Sequence, residues 1–242
     1  MDLTQTSLKS LAERIAALGV EIDLPDVATW ADLASTRPVM DAEGRPVPMH
    51  FSFTPAENDY WRQHDLALRN SVVALVRHLS EPFYFNDGEV GSWRPMNLDP
   101  GLAKKLRETG SSVRRSIIAP VRLPRSIIGA VVWATDREEV DVKAVFEQHS
   151  PRLQAEAIRF IAACNETASA SEPLAAISLT RREIQCLKLI AAGKSDGEIA
   201  QIMALSIPTI RFHLRNAGTK LGRNGRLRIV QRAASLGFVS IR

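Results

Sequence analysis

Apolar residues recur at helical spacing over most of the chain and form short β-like runs in between. Leu8, Leu11, Ile15 and Leu18 share one helical face, so a helix is expected over Leu3–Leu18. The same period predicts helices over Pro55–Leu79, Pro100–Thr109 and Glu138–Cys164. Strand-like runs fall at Met49–Phe53, Pro82–Phe85, Arg115–Val121 and Ser126–Ala134, the last two joined as a hairpin through Arg122-Leu123-Pro124-Arg125. Helices on both sides of a small, mainly antiparallel sheet accommodate this order. After Cys164 the chain turns small and polar, with a proline and little periodicity, and residues 165–177 read as a linker.

Beyond the linker the punctuation is denser. Thr180 with Glu183, and Ser195 with Glu198, have capping-box spacing, in which hydroxyl and carboxylate satisfy each other's backbone N–H groups. Ser206 is placed to cap a third helix, with Pro208 tolerated in its first turn. Gly193 follows Ile184, Leu187, Ile190 and Ala191 as a helix stop, and a fourth helix of about Leu227–Leu236 ends at Gly237. The second and third helices are separated only by Ala204-Leu205-Ser206, which is helix-turn-helix organisation.

On a helical wheel, Ile207, Ile210, Leu214, Ala217 and Leu221 occupy one sector of ~80° and are expected to pack inward. Arg211, Phe212 and Arg215 lie roughly opposite, with Thr209, His213, Asn216 and Lys220 on a flank. An arginine fork matches the two acceptors of guanine in a major groove, and an apolar ring suits a thymine methyl or a sugar. Arg211 and Arg215 are therefore the candidate base readers, Phe212 a methyl or sugar contact, and Thr209, Asn216 and Lys220 phosphate contacts. Isolated, such a helix would read as an ordinary solvated face. Charge tips the balance: from Leu174 onward there are 12 Lys and Arg against 3 Asp and Glu, whereas the preceding chain holds 19 basic and 24 acidic residues. Only the C-terminal part is suited to a polyanion, and double-stranded DNA is the expected partner.

Other classes find less support. No apolar run approaches the ~18 residues of a membrane span, and the first residues lack the basic and apolar order of a signal peptide. Cys164 and Cys186 lie in helical patterns without metal-ligand spacing, as buried thiols of a reducing compartment would. A cytoplasmic protein without membrane partner, metal or cofactor is expected. Glu57, His64, Asp65, His78 and Asp87 are the available acids and bases, but they form no nucleophile, metal or phosphate-loop motif, so catalysis is not expected. Asn86–Gly91 has turn chemistry and lacks the oxygen-ligand series of a calcium loop. His213 has no second ligand at metal spacing. The N-terminal order does not supply the doubly wound sheet of a phosphorylated receiver. A DNA-free antagonist would have no need of Arg211 and Arg215.

The segment LTRREIQCLKLIAAGKSDGEIAQIMALSIPTIRFHLRNAGTKLG resembles the DNA-binding domain of LuxR-type regulators over about Ser178–Val239. The resemblance aligns near-invariant scaffold positions with Glu183, Leu187 and Gly193, and groove-facing basic positions with Arg211 and Arg215. It implies a dimer contact through the last helix, at Ile229, Val230 and Ala233. Gly218 and Gly225 replace side chains usual in that family, at ~1 kcal/mol each if they fall within helices.

NDYWRQHDLALRNSVVALVRHLSEPFYF and SIIAPVRLPRSIIGAVVWAT are similar to the autoinducer-binding domain of quorum-sensing LuxR proteins. That resemblance, over about Leu3–Cys164, implies an α/β/α sandwich with a ligand cavity on one sheet face. The family's amide-binding aspartate aligns with Asn70 and the next proline with Ser71. Its wall aromatics align with Glu57, Trp61 and Phe85, and a glycine with Ser116. Asn70 accepts without charge assistance, Trp61 donates but cannot accept, and Glu57 offers no lactone donor. Phe53, Glu57, Trp61, Asn70, Phe85 and Trp133 are the candidate pocket residues.

The expected architecture is α+β. An autoinducer-binding-like sandwich over residues 1–164 precedes the 165–177 linker and an all-α, four-helix helix-turn-helix domain over 178–242. The expected function is that of a homodimeric transcription regulator sensing a small molecule other than a standard N-acyl-homoserine lactone. Two alternatives stay open: an orphan whose first domain only dimerises, and an acyl-homoserine-lactone receptor with altered contacts.

Overall fold

The computed structural model describes residues 8–35, 38–41, 43–51, 71–108, 115–169 and 177–240. The chain forms two compact units, the first of residues 1–123 and 127–171, the second of residues 124–126 and 172–242.

The first unit is built on one antiparallel sheet. Its strands are β1 (Asp26–Trp30), β2 (Phe83–Asn86), β3 (Glu89–Ser92), β4 (Arg115–Leu123) and β5 (Ile127–Thr135), in the order β1-β5-β4-β2-β3. Side chains alternate across a strand. Tyr84, Ile117, Ala119, Val121, Val131 and Trp133 meet helices α1 (Leu8–Glu21) and α4 (Val142–Ser169) on one face. Phe83, Phe85, Ile118, Ala130, Val132 and Ala134 meet α2 (Ser71–His78) and α3 (Pro100–Glu108) on the other. Both faces are covered, which is why β4 and β5 read as nearly continuous apolar runs. This is the expected α/β/α sandwich, of α+β class.

Several boundaries differ from expectation. β1 and β3 were not among the expected strands. β1 is five residues with a half-buried pattern, too short for a strong period. β3 follows Asp87-Gly88, whose φ values of 48° and 95° make the two-residue hairpin turn that an Asp-Gly pair favours. Of the expected strand at Met49–Phe53, the first two residues lie instead in a 3₁₀ turn at Val47–His50, where Pro46 and Pro48 remove ladder donors, and residues 52 and 53 fall outside the described residues. Phe51 then packs edge-on against Phe160, ring centroids 5.7 Å apart. α4 begins later than Glu138, at an Asp141 carboxylate that accepts from the Lys143 and Ala144 amides at 3.1 and 3.2 Å. It also continues past Cys164, so 165–169 of the expected linker are helical. The Asn165 side-chain amide donates to the carbonyls of Ile161 (2.8 Å) and Ala31 (3.0 Å), tying this last turn to the sandwich.

Among the described residues after 176 the second unit has four helices: α5 (Arg181–Ala191), α6 (Asp196–Met203), α7 (Ile207–Leu221) and α8 (Arg226–Ser235). Both capping boxes are formed, and the Ser206 hydroxyl accepts from the Thr209 amide. α5 ends in a Schellman arrangement: Gly193 at φ 80° donates to Ile190, and Lys194 to Leu189. Leu187, Ala217, Leu221, Ile229, Val230, Ala233 and Val239 form the core. Ile229, Val230 and Ala233 are thus internal packing residues and not the outward dimer contact suggested by resemblance. The outward apolar side chain of α8 is Leu227, 69% exposed.

Gly218 also reads differently in three dimensions. A Cβ there would stand 2.8 Å from the Arg223 carbonyl oxygen and 2.9 Å from an Ile229 methyl. Alanine gains about 1 kcal/mol in helix propensity, but overpacking against backbone costs about 1–3 kcal/mol. Gly218→Ala is therefore expected to lower stability in urea unfolding of the full-length chain; a more stable variant would show that the contact yields freely.

Candidate nucleic-acid interface

α7 owes its orientation to an apolar stripe and to carboxylates from neighbouring helices. Ile210, Ala217 and Leu221 are buried, with Leu214 partly so. Ile207, expected inward, is 41% exposed, because it is the first residue of the helix and precedes the closely packed turns. Between α6 and α7, Ala204 takes the left-handed conformation (φ 52°, ψ 46°), and its amide bonds back to the end of α6. Such a turn lets two helices meet within three residues.

The outward face carries Arg211, Phe212 and Arg215, all exposed, with Phe212 54% accessible. Burying this much aromatic surface on a partner is favourable; among the described residues the ring meets the edge of His213, centroids 5.8 Å apart, and stays more than half exposed. Asn216 is half-buried on the flank, as is Thr209, whose hydroxyl lies 2.8 Å from that of Ser206. Among the described residues the Arg215 guanidinium has no ion-pair partner. Five of the six expected DNA-facing residues therefore lie together on one side of α7 or its flank.

Lys220, the sixth, already has a partner within its own unit. Its ammonium donates to both oxygens of Glu183, at 3.0 and 2.9 Å. Glu183, whose side chain is only 3% exposed, also accepts from the Thr180 amide at 2.7 Å. Lys220 is committed to compensating a buried carboxylate, a demand that a wheel cannot reveal because Glu183 lies 37 residues away. Burial pushes the Glu183 carboxyl up. Hydrogen bonds from Lys220 and Thr180 outweigh it and leave the group below its ordinary value of 4.5.

Three residues at this interface had no sequence signal as a group. Asp196 accepts from Arg211 Nε at 3.1 Å through one oxygen and from Arg226 through the other. Arg226 also donates to the Lys194 carbonyl. Burial raises the Asp196 carboxyl, but the Arg211 and Arg226 hydrogen bonds prevail and hold it below the usual aspartate value. With Gly193, Ile207 and Lys194 these side chains line an open depression of ≈ 530 Å³ at the start of α6. By sequence Asp196 is merely a favourable acid in a first helical turn; only folding sets it between two arginines.

A family model described as bacterial regulatory proteins, luxR family, matches residues 177–233. The second unit is a LuxR-family helix-turn-helix domain. A shorter match is to the transcriptional activator VanR of Vibrio anguillarum, 44% identical over 62 residues, 26% of each chain. A longer match is the quorum sensing-dependent transcriptional regulator VjbR of Brucella ovis, 30% identical over 178 residues. That match covers 72% of this chain and 62% of VjbR, so the chain spans about three fifths of this relative's length. These relatives are named as transcriptional regulators, not enzymes. In fold, the chain is similar to SdiA solved in complex with octanoyl-rac-glycerol, with TM-score 0.53 and 17% identity over 97% of this chain and 90% of that one.

In the first unit, Phe53, Glu57, Trp61 and Asn70 of the expected pocket lie outside the described residues, as does most of the expected helix Pro55–Leu79. The two that are described do not come together. Phe85 pairs with Ser116 and Ser116 with Ala134, whereas Tyr84 pairs with Ile117 and Ile117 with Trp133. Cross-strand partners share a face and adjacent residues do not, so Phe85 and Trp133 sit on opposite sides of the sheet. Trp133 is fully buried and donates its indole N–H to the Ile15 carbonyl at 3.1 Å, fastening α1 to β5. It is a core residue and leaves the candidate pocket. Among the described residues no group of three or more His, Cys, Asp or Glu could hold a metal, and no helix is long and apolar enough to cross a membrane.

Lys220→Ala is expected to cost about 1–3 kcal/mol at neutral pH, since it strands Glu183 without its cation. A depressed carboxyl contributes stability above its ordinary value of 4.5 and loses it as pH falls through the lowered folded value. Denaturation curves of wild type and variant should accordingly converge in acid; an equal gap at all pH would rule out this ion pair as the cause.

Proposed function

We propose that the chain is a homodimeric, sequence-specific DNA-binding transcription regulator. The carrying observation is the exposure of Arg211, Phe212 and Arg215 on one face of α7 while the opposite face is buried. Paired α7 helices enter successive major grooves, with half-sites about one helical turn apart. Arg211 and Arg215 read bases and Phe212 meets a thymine methyl or sugar. Thr209 and Asn216 contact phosphates. The basic excess of the C-terminal part supports this reading, as do the regulatory names of its relatives.

The first unit, in this proposal, senses a small molecule other than a standard N-acyl-homoserine lactone. SdiA, a protein of similar fold, was solved with octanoyl-rac-glycerol, and Glu57, Trp61 and Asn70 replace groups that the lactone-binding family uses. The pocket lies on the sheet face of Phe85 and Ser116. Native mass spectrometry of the full-length protein, expressed with and without long-chain acyl-homoserine lactones, tests both parts. The expected result is a dimer carrying a stoichiometric adduct that is not the lactone. A dimer empty under every condition would make this unit a pairing scaffold, and a lactone adduct would make it a receptor with altered contacts.

Arg211→Ala and Arg215→Ala should each weaken binding to the preferred sequence by about 1–3 kcal/mol and relax base preference at separate positions. Fluorescence anisotropy at fixed salt measures this. Unchanged affinity and preference in both variants would remove α7 as the reading element.

A further inference from the structure

The geometry points to Asp196 as a specificity-determining residue that fixes the direction in which Arg211 reads DNA. The inference rests on the proposed base-reading role of Arg211 and adds to it a positioning group on a different helix.

An arginine on an open helix face has four side-chain torsions and many accessible directions. Its discrimination between bases depends on presenting two N–H groups in one plane toward guanine O6 and N7. Arg211 is 68% exposed, yet its Nε is held at 3.1 Å by an Asp196 oxygen. Nε lies on the inner edge of the guanidinium. Among the described residues the two terminal nitrogens make no hydrogen bond, so the outer edge of the fork stays available. A single charge-assisted bond at Nε orients the plane without consuming the donors that read the base.

The carboxylate is itself held. Asp196 is the first residue of α6, directly after the Ser195 cap, and its side chain is only 24% exposed. Its second oxygen accepts from Arg226 on α8, and Arg226 is anchored in turn on the Lys194 carbonyl. Arg226 offsets the negative charge that would otherwise stand close to DNA phosphates. Three elements thus converge on one guanidinium: the start of α6 supplies the acceptor, α8 locks it, and α7 carries the reader. Pre-ordering of this kind lowers the entropy lost on binding and penalises a wrong base more heavily.

The test is selection from a randomised double-stranded DNA pool by the full-length chain, its Asp196→Ala, Asp196→Asn and Arg211→Ala variants, and the Asp196→Ala/Arg211→Ala double variant. Thermal unfolding is followed alongside. Arg211→Ala identifies the position that Arg211 reads. Asp196→Ala is expected to reduce the preference at that same position about fivefold or more, within the range one bidentate contact supplies. Positions read by Arg215 keep their preference. The double variant should lose no more there than Arg211→Ala alone, because both changes remove one contact. Asp196→Asn, which retains one acceptor, should fall between wild type and alanine. Full preference at the Arg211 position in Asp196→Ala overturns the inference. So does a loss spread evenly over all positions in both Asp196 variants, which would make Asp196 a structural residue. A wild-type chain that enriches no sequence would overturn the DNA-reading proposal itself, a result distinct from either.

Discussion

The second unit depends on one buried carboxylate. Glu183 closes the start of α5 by accepting from the Thr180 amide, and it receives the Lys220 ammonium from the last turn of α7. A carboxylate this dry is tolerable only when its lone pairs are filled. The cap and the ion pair therefore constrain each other. α7 must bring Lys220 to the start of α5, and once it does, the direction of its axis is largely set. The apolar stripe of Ile210, Ala217 and Leu221 supplies the burial energy, but such contacts are non-directional. The ion pair adds the direction.

Asp196 works on the same helix from its other end. Where Glu183 is nearly sealed and uses its cation to survive burial, Asp196 stands at the rim and holds the outward-facing Arg211. The difference in exposure separates a sealed carboxylate from a rim carboxylate of similar chemistry. Both are held below their ordinary ionisation range by cations from neighbouring helices, so both stay charged at neutral pH. α7 is thereby presented as a preset surface, not as a flexible arm.

Much of this was legible in the sequence because its causes are local. A hydroxyl three residues before a glutamate, a glycine after an apolar run, and apolar spacing of three and four each act within one or two turns, and the caps of α5, α6 and α7 formed as expected. The outward placement of Arg211, Phe212 and Arg215 followed from the same spacing. In the first unit the long runs of β4 and β5 announced themselves through their length. β1 and β3 did not, being five and four residues with mixed burial, although the Asp87-Gly88 pair was a usable hairpin signal. The last turn of α4 was missed because small polar residues suit a linker as well as a helix end, and the bond from Asn165 to Ala31 that holds it spans 134 residues.

The sequence by itself determined which segments are helices in the second unit, which of their faces is basic, and that the first unit is a layered α+β sandwich. These follow from periodicity, capping chemistry and net charge, all short-range or additive properties. Only the tertiary structure decided that Lys220 pairs with Glu183, that Ile229, Val230 and Ala233 are core, and that Gly218 leaves room for a carbonyl. It alone separated Phe85 from Trp133 across the sheet and placed Asp196 between Arg211 and Arg226. Each of those outcomes turns on strand register or on a meeting of residues that no single helix turn brings together, from five positions apart for Gly218 and Arg223 to 37 for Glu183 and Lys220. A one-residue change of register would reverse a face, and no local pattern records which distant groups will share a buried charge.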